Sequence, residues 1–113
     1  IIWNLSIINR IFFRKGTKMT SKQRAYLKGL AMTMDPIFQI GKASLTPELI
    51  EGVREAIDKR ELIKVSVLKN CFDDPKELAE ILAERTRSTV VQVIGKKIVL
   101  FKQAKENSKI TLP

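Results

Sequence analysis

The sequence predicts a compact α/β domain of order α-β-α-β-α-β-β, with three helices and a mixed four-stranded sheet. Three observations carry that prediction. Apolar residues recur at helical spacing in three segments, each opened by a residue that caps helices. Four short segments have the β-branched, apolar character of strands. A Gly95-Lys96-Lys97 turn separates the last two of them.

The first helix is expected over residues 20–33. Thr20 or Ser21 can cap it, and Tyr26, Leu27, Leu30 and Ala31 form its apolar face. Lys22, Arg24 and Lys28 lie on its other faces and give it a basic exposed side. Asp35-Pro36 ends it, because a residue before proline avoids helical angles. Ile37-Phe38-Gln39-Ile40 is a short apolar strand closed by Gly41. Thr46 is a good N-cap, and Pro47 suits the first helical position. The second helix runs to about Arg60, with Leu49, Ile50, Val53, Ala56 and Ile57 facing in. Glu48 and Glu51 near its start and Lys59-Arg60 at its end complement the helix dipole.

Leu62 to Leu68 reads as the second strand, where Ile63, Val65 and Val67 alternate with Lys64 and Ser66, so one face should be wet. Asp73 or Asp74, with Pro75, opens the third helix, with Leu78, Ala79, Ile81 and Leu82 inward and Arg85 and Arg87 at its end. Thr89 to Ile94 is the third strand and Ile98 to Phe101 the fourth. Two β-α-β units imply parallel pairings, and the final turn implies an antiparallel hairpin. Residues 103–113 are polar and expected to be frayed or loosely attached. There is no internal repeat and no low-complexity segment.

Length and composition bound the function. The chain has 113 residues, 44% hydrophobic and 29% charged, which is one domain able to bury roughly 65% of its unfolded surface. Histidine is absent and cysteine occurs once, so Ser-His-Asp and Cys-His machinery, histidine-based zinc sites and an intramolecular disulfide are excluded. A single thiol is compatible with a reducing cytosol, and a cytoplasmic location is the expectation. Asp73-Asp74 reads as helix capping, Glu48, Glu51 and Glu55 as a solvated helix face with Arg54 and Lys59, and Cys71 as a small, partly buried side chain.

Residues 1–18, IIWNLSIINRIFFRKGTK, are apolar and basic with no acid. Asn4, Ser6, Asn9 and Arg10 interrupt the apolar run too often for a membrane span. Arg14, Lys15 and Lys18 follow the apolar stretch, whereas a secretory signal puts its charges first. Met19-Thr20-Ser21-Lys22 has the look of a natural start, and Arg14–Lys18 could be encoded by purine-rich codons like those of a ribosome-binding site. The segment is therefore expected to be a non-native leader, the alternative being an amphipathic arm. The domain proper is expected over 19–103, with a polar tail at 104–113.

Lys and Arg total 21 against 12 Asp and Glu, for a net charge of +9. Such an excess points to a polyanionic partner, nucleic acid or an anionic membrane. Without residues 1–18 there remain 17 basic and 12 acidic residues, and the middle, 43–95, holds 8 basic and 10 acidic ones. The surplus therefore sits at the two ends of the domain, and the expectation is that folding gathers it around one surface.

That surface is expected at Ile40-Gly41-Lys42-Ala43-Ser44-Leu45-Thr46-Pro47, between a strand and a capped helix. A helix start presents unpaired N–H groups, a glycine lets the backbone approach a phosphate closely, and Lys42 adds a mobile charge. The spacing is neither that of a nucleotide-triphosphate loop nor that of a dinucleotide fingerprint. Lys96, Lys97 and Lys102 form a second basic cluster, which Lys105 and Lys109 extend. Phe38 and Phe101, on apolar strands, are expected in the core rather than as stacking platforms.

Four pieces of this sequence resemble one family. They are Leu27-Lys28-Gly29-Leu30-Ala31, the loop Ile40 to Thr46, Glu61-Leu62-Ile63-Lys64-Val65, and Val91 to Phe101. In this order, over residues 20–102, they are similar to the bacterial stand-alone form of the CRM domain (chloroplast RNA splicing and ribosome maturation), typified by the YhbY and YqeI proteins. The resemblance implies an RNA-binding module with a fold like the C-terminal domain of translation initiation factor three. It also implies association with precursors of the large ribosomal subunit or, in plant organelles, with group II intron splicing. The family's Gly-x-x-Gly loop, like that of KH domains, maps to Gly41-Lys42-Ala43-Ser44, where this chain has serine for the second glycine. A positive φ there would strain Ser44; alternatively its hydroxyl donates to a phosphate.

The expected function is RNA binding in large-subunit assembly, on ribosomal RNA or its precursor, with no catalysis, cofactor, metal, membrane or small-molecule substrate. Gly41, Lys42, Ala43, Ser44 and Thr46 are expected to hold the RNA backbone, with Lys22, Arg24, Lys28, Lys96, Lys97 and Lys102 supplying the surrounding field. The rival expectation is a protein-interaction module that dimerises through the apolar arm. A weaker third is a small hydrolase or transferase using Lys and Asp.

Overall fold

The computed structural model describes residues 19–104, 110, 112 and 113. The expected leader or arm, 1–18, lies outside the described residues, as do Lys105 and Lys109. Seven elements follow in the expected order: α1 (Ser21–Ala31), β1 (Phe38–Ile40), α2 (Pro47–Arg60), β2 (Leu62–Val67), α3 (Pro75–Thr86), β3 (Thr89–Ile94) and β4 (Lys97–Phe101).

Each helix opens where its cap dictates. Thr20 caps α1 in a reciprocal box with Gln23, Thr46 Oγ1 accepts the Leu49 N–H at 3.1 Å, and Asp74 Oδ1 accepts the Lys76 N–H at 3.0 Å. The first helix stops at Ala31, short of the expected residue 33, where the Met32 N–H closes back on the carbonyls of Lys28 and Gly29. Its buried residues are Leu27 and Ala31; Tyr26 and Leu30, expected inside, are exposed. On α3, Ile81 is likewise exposed, and Ala83 and Thr86 are buried instead.

The sheet has the order β1-β2-β4-β3. β1 and β2 are parallel, while β4 pairs antiparallel with both β2 and β3. The parallel pairing expected of the second β-α-β unit is therefore absent, because β4 occupies the slot between β2 and β3. The tight Gly95-Lys96 turn, with Gly95 at a φ of +56°, folds β4 back along β3, and β4's free edge then takes β2.

Both faces of the sheet are covered. Val53 and Ile57 of α2 and Leu78, Ala79 and Leu82 of α3 pack on Ile63, Val65, Ile98 and Leu100. Leu27 and Ala31 of α1 pack on Leu62, Val91, Val99 and Phe101 from the other side. The face expected to be wet is thus partly buried: Ser66 lies inside, its hydroxyl accepting from Lys97 Nζ at 3.0 Å. Phe101 is buried and Phe38 packs against the α2–α3 core, as expected of core residues.

The C-terminal segment is docked where it is described, not frayed. Ile110 and Leu112 pack beside α1, and Gln23 Nε2 donates to the Pro113 carbonyl at 3.2 Å. Glu61, only 1% exposed, accepts backbone N–H bonds from Ala104 at 3.1 Å and Ile110 at 3.3 Å. Among the described residues no helix is long and apolar enough to cross a membrane.

Candidate nucleic-acid interface

Strand directions bring three connections to one end of the sheet. β1 and β2 finish there side by side at Ile40 and Val67, and β3 finishes and β4 begins there at Ile94 and Lys97. The loop 41–46, the loop 68–74 and the Gly95-Lys96 turn therefore share an end, and α2 and α3 both begin from it. Backbone bonds knit the three together: Leu68 N–H donates to the Ile40 carbonyl at 2.9 Å, and Val67 N–H to the Lys96 carbonyl at 2.7 Å.

The Gly41–Thr46 loop is a tight turn in which the Ser44 N–H donates to the Gly41 carbonyl at 2.9 Å. Ser44 has a φ of +60°, so the left-handed position falls on the serine. Its hydroxyl donates to Asp73 Oδ2, the residue beside the α3 cap. Of the two aspartates expected to cap, Asp74 does so and Asp73 fastens the two loops together. A Cβ added at Gly41 would meet only ordinary contacts, Asn70 Oδ1 at 3.6 Å and Leu68 Cδ1 at 3.7 Å, so the fold itself has room for a side chain there. Thr46 is committed as the α2 cap.

Lys42, Lys96 and Lys97 all fall at this end, where Lys42 and Lys96 are exposed and make no ion pair among the described residues. The other expected contributors lie elsewhere. Lys102 follows β4 at the opposite end of the sheet, where its ammonium pairs with Asp58 at 2.5 Å. Helix α1 covers the half of the sheet near Leu62 and Phe101, which puts Lys22 and Lys28 on that helix rather than on the loop end. Arg24 is turned inward: its Nη1 donates to the Val90 carbonyl at 2.8 Å and to that of Val91. Those carbonyls sit where β3 shifts register, so the guanidinium clasps a β-bulge. The basic residues of the two termini do not all converge on Gly41.

Three residues that sequence reasoning passed over lie on the adjoining loop 68–74. Lys69 and Asn70 are exposed in the loop 68–74, and Asn70 stands beside Gly41. Phe72 is 92% exposed in the same loop, whereas its neighbour Cys71 is buried in the core. An aromatic in the short loop Lys69 to Asp74, two residues before the capping aspartate, was the signal available.

The arrangement presents an exposed turn, two helix starts and ammonium groups on three adjacent connections. That is the equipment for holding phosphates through their oxygens. Residues 19–102 match the CRS1/YhbY (CRM) domain. The chain belongs to that family. Over 95 residues it is 47% identical to the Bacillus subtilis protein named "Probable RNA-binding protein YqeI", a match covering 84% of this chain and 99% of that one. It is 32% identical over 97 residues to a Haemophilus influenzae protein named "RNA-binding protein", covering 86% and 97% of the two chains. The solution structure of the hypothetical protein SAV1595 from Staphylococcus aureus superposes on this CRM domain with a TM-score of 0.72 at 53% identity, covering 85% of this chain and all of that one.

Proposed function

We propose that this CRM domain binds RNA, gripping the backbone at the sheet end formed by Gly41–Thr46, Lys69 and the Lys96-Lys97 turn. The observation that carries the reading is the meeting of three basic connections with two helix starts at one end of one sheet. The relatives' names supply the class of partner. The role is that of a cytoplasmic binding module rather than an enzyme: amides and ammonium groups position a polyanion and carry little base information.

Salt titration tests it. Each phosphate neutralised contributes about −0.7 to the slope of log K against log salt on a single strand, so Lys42, Lys69, Lys96 and Lys97 together give roughly −3. Lys42→Ala should flatten the slope by about 0.7. A flat wild-type slope would overturn the reading.

Within the cell the target is ribosomal RNA of the large subunit or its precursor, in keeping with the family resemblance. Crosslinking in cells followed by sequencing of the bound RNA should recover large-subunit sequences. Recovery dominated by messenger RNA would contradict that target.

A further inference from the structure

We propose that Phe72 is a stacking platform for an unpaired base of the RNA whose backbone lies on the Gly41–Ser44 turn, an inference that rests on the RNA-binding reading above. Phe72 is 92% exposed, the most exposed of the large apolar side chains described. Its position is nevertheless fixed on both sides. Cys71 before it is buried in the core, and its N–H donates to the Leu68 carbonyl at 3.1 Å. Asp73 after it accepts the Ser44 hydroxyl, and Asp74 caps α3. The ring is thus presented to solvent by anchored backbone.

The bond from Ser44 to Asp73 also anchors the loop that carries Phe72 to the turn. It ties the residue next to Phe72 to the last residue of the candidate phosphate turn, so the backbone that carries the ring is one residue from a direct contact with that turn. Lys69, three residues before the ring, adds positive charge to the same loop. An apolar side chain kept in water on a loop adjoining a basic turn suits an anionic backbone that carries flat apolar faces. A base stacks on an aromatic ring whatever its identity, so the platform favours unpaired nucleotides without reading sequence. A continuous duplex keeps its bases stacked on one another and offers the ring no free face.

The test compares a stem-loop RNA bearing an unpaired loop with a blunt duplex of the same stem, using the full chain at low salt. Stacking on one base corresponds to roughly five- to hundredfold in affinity. Phe72→Ala should weaken stem-loop binding by that factor, leave duplex binding within about twofold and keep the salt slope. Phe72→Trp should retain stem-loop affinity. Because the side chain lies outside the core, both variants should melt like the wild type. Equal loss on stem-loop and duplex, or no loss on either while Lys42→Ala weakens both, would overturn the platform and leave the backbone site standing. No loss for either Phe72→Ala or Lys42→Ala would overturn both.

Discussion

Ser44, the last residue of the Gly41–Ser44 turn, has a φ of +60°, a conformation that costs an L-residue on the order of 1 kcal/mol. The hydroxyl offsets part of that cost by donating to Asp73. A carboxylate is thereby fixed where a phosphate is expected, and it opposes the neighbouring lysines. Asp73→Asn keeps an oxygen for Ser44 and removes the charge. RNA affinity should rise by up to about fivefold at low salt, with the gain fading at high salt. An unchanged affinity in a filter-binding assay at low salt would show that Asp73 does not face the backbone. At this scale the sequence was a partial guide. The caps Thr20 and Thr46 were legible because capping is local chemistry. The partners of Ser44 and Arg24 were not, since Asp73 and the Val90 carbonyl lie far along the chain and meet them only through tertiary folding.

The elements themselves were legible almost to their ends, because helical and strand periodicities are local and each helix carries its own start signal. The order of strands was not. Whether β4 would lie outside β3 or between β3 and β2 depends on which edge is left open, and no residue spacing encodes that. At the described residues of the C-terminal segment a polar composition hides contacts for a related reason: Ile110 and Leu112 pack beside α1, and a buried acid accepts the N–H groups of Ala104 and Ile110. Glu61 is that acid, and it sits at the end of α2 with a φ of +67°. Glu61→Ala should cost about 1–3 kcal/mol, because N–H groups of the docked segment lose their acceptor. For a domain of this size that lowers the melting temperature by roughly 5–20 °C. A melt unchanged within about 2 °C would show that the Glu61 bonds to the segment contribute nothing to stability.

Across the whole molecule, the basic surplus divides by position. One share, Lys42, Lys69, Lys96 and Lys97, lies at the end where β1 and β2 finish; the other, including Lys102 with Asp58, lies elsewhere on the fold. Net charge alone could not separate these shares, because the sum over a sequence has no direction. The division makes a paired prediction. Replacing Lys96 and Lys97 together by Ala should flatten the salt slope of RNA binding by about 1.4, whereas Lys102→Ala should leave it unchanged and cost less than about 1 kcal/mol of stability. Equal effects at the two ends would mean that the protein attracts RNA as a diffuse cation. The most direct measurement is a map of backbone amide chemical shifts in the isotope-labelled full chain as single-stranded RNA is added. Perturbations should concentrate in 41–46, 69–72 and 95–97. Perturbations centred on α1 and the Asp58–Lys102 end, with the Gly41 turn unmoved, would contradict the site.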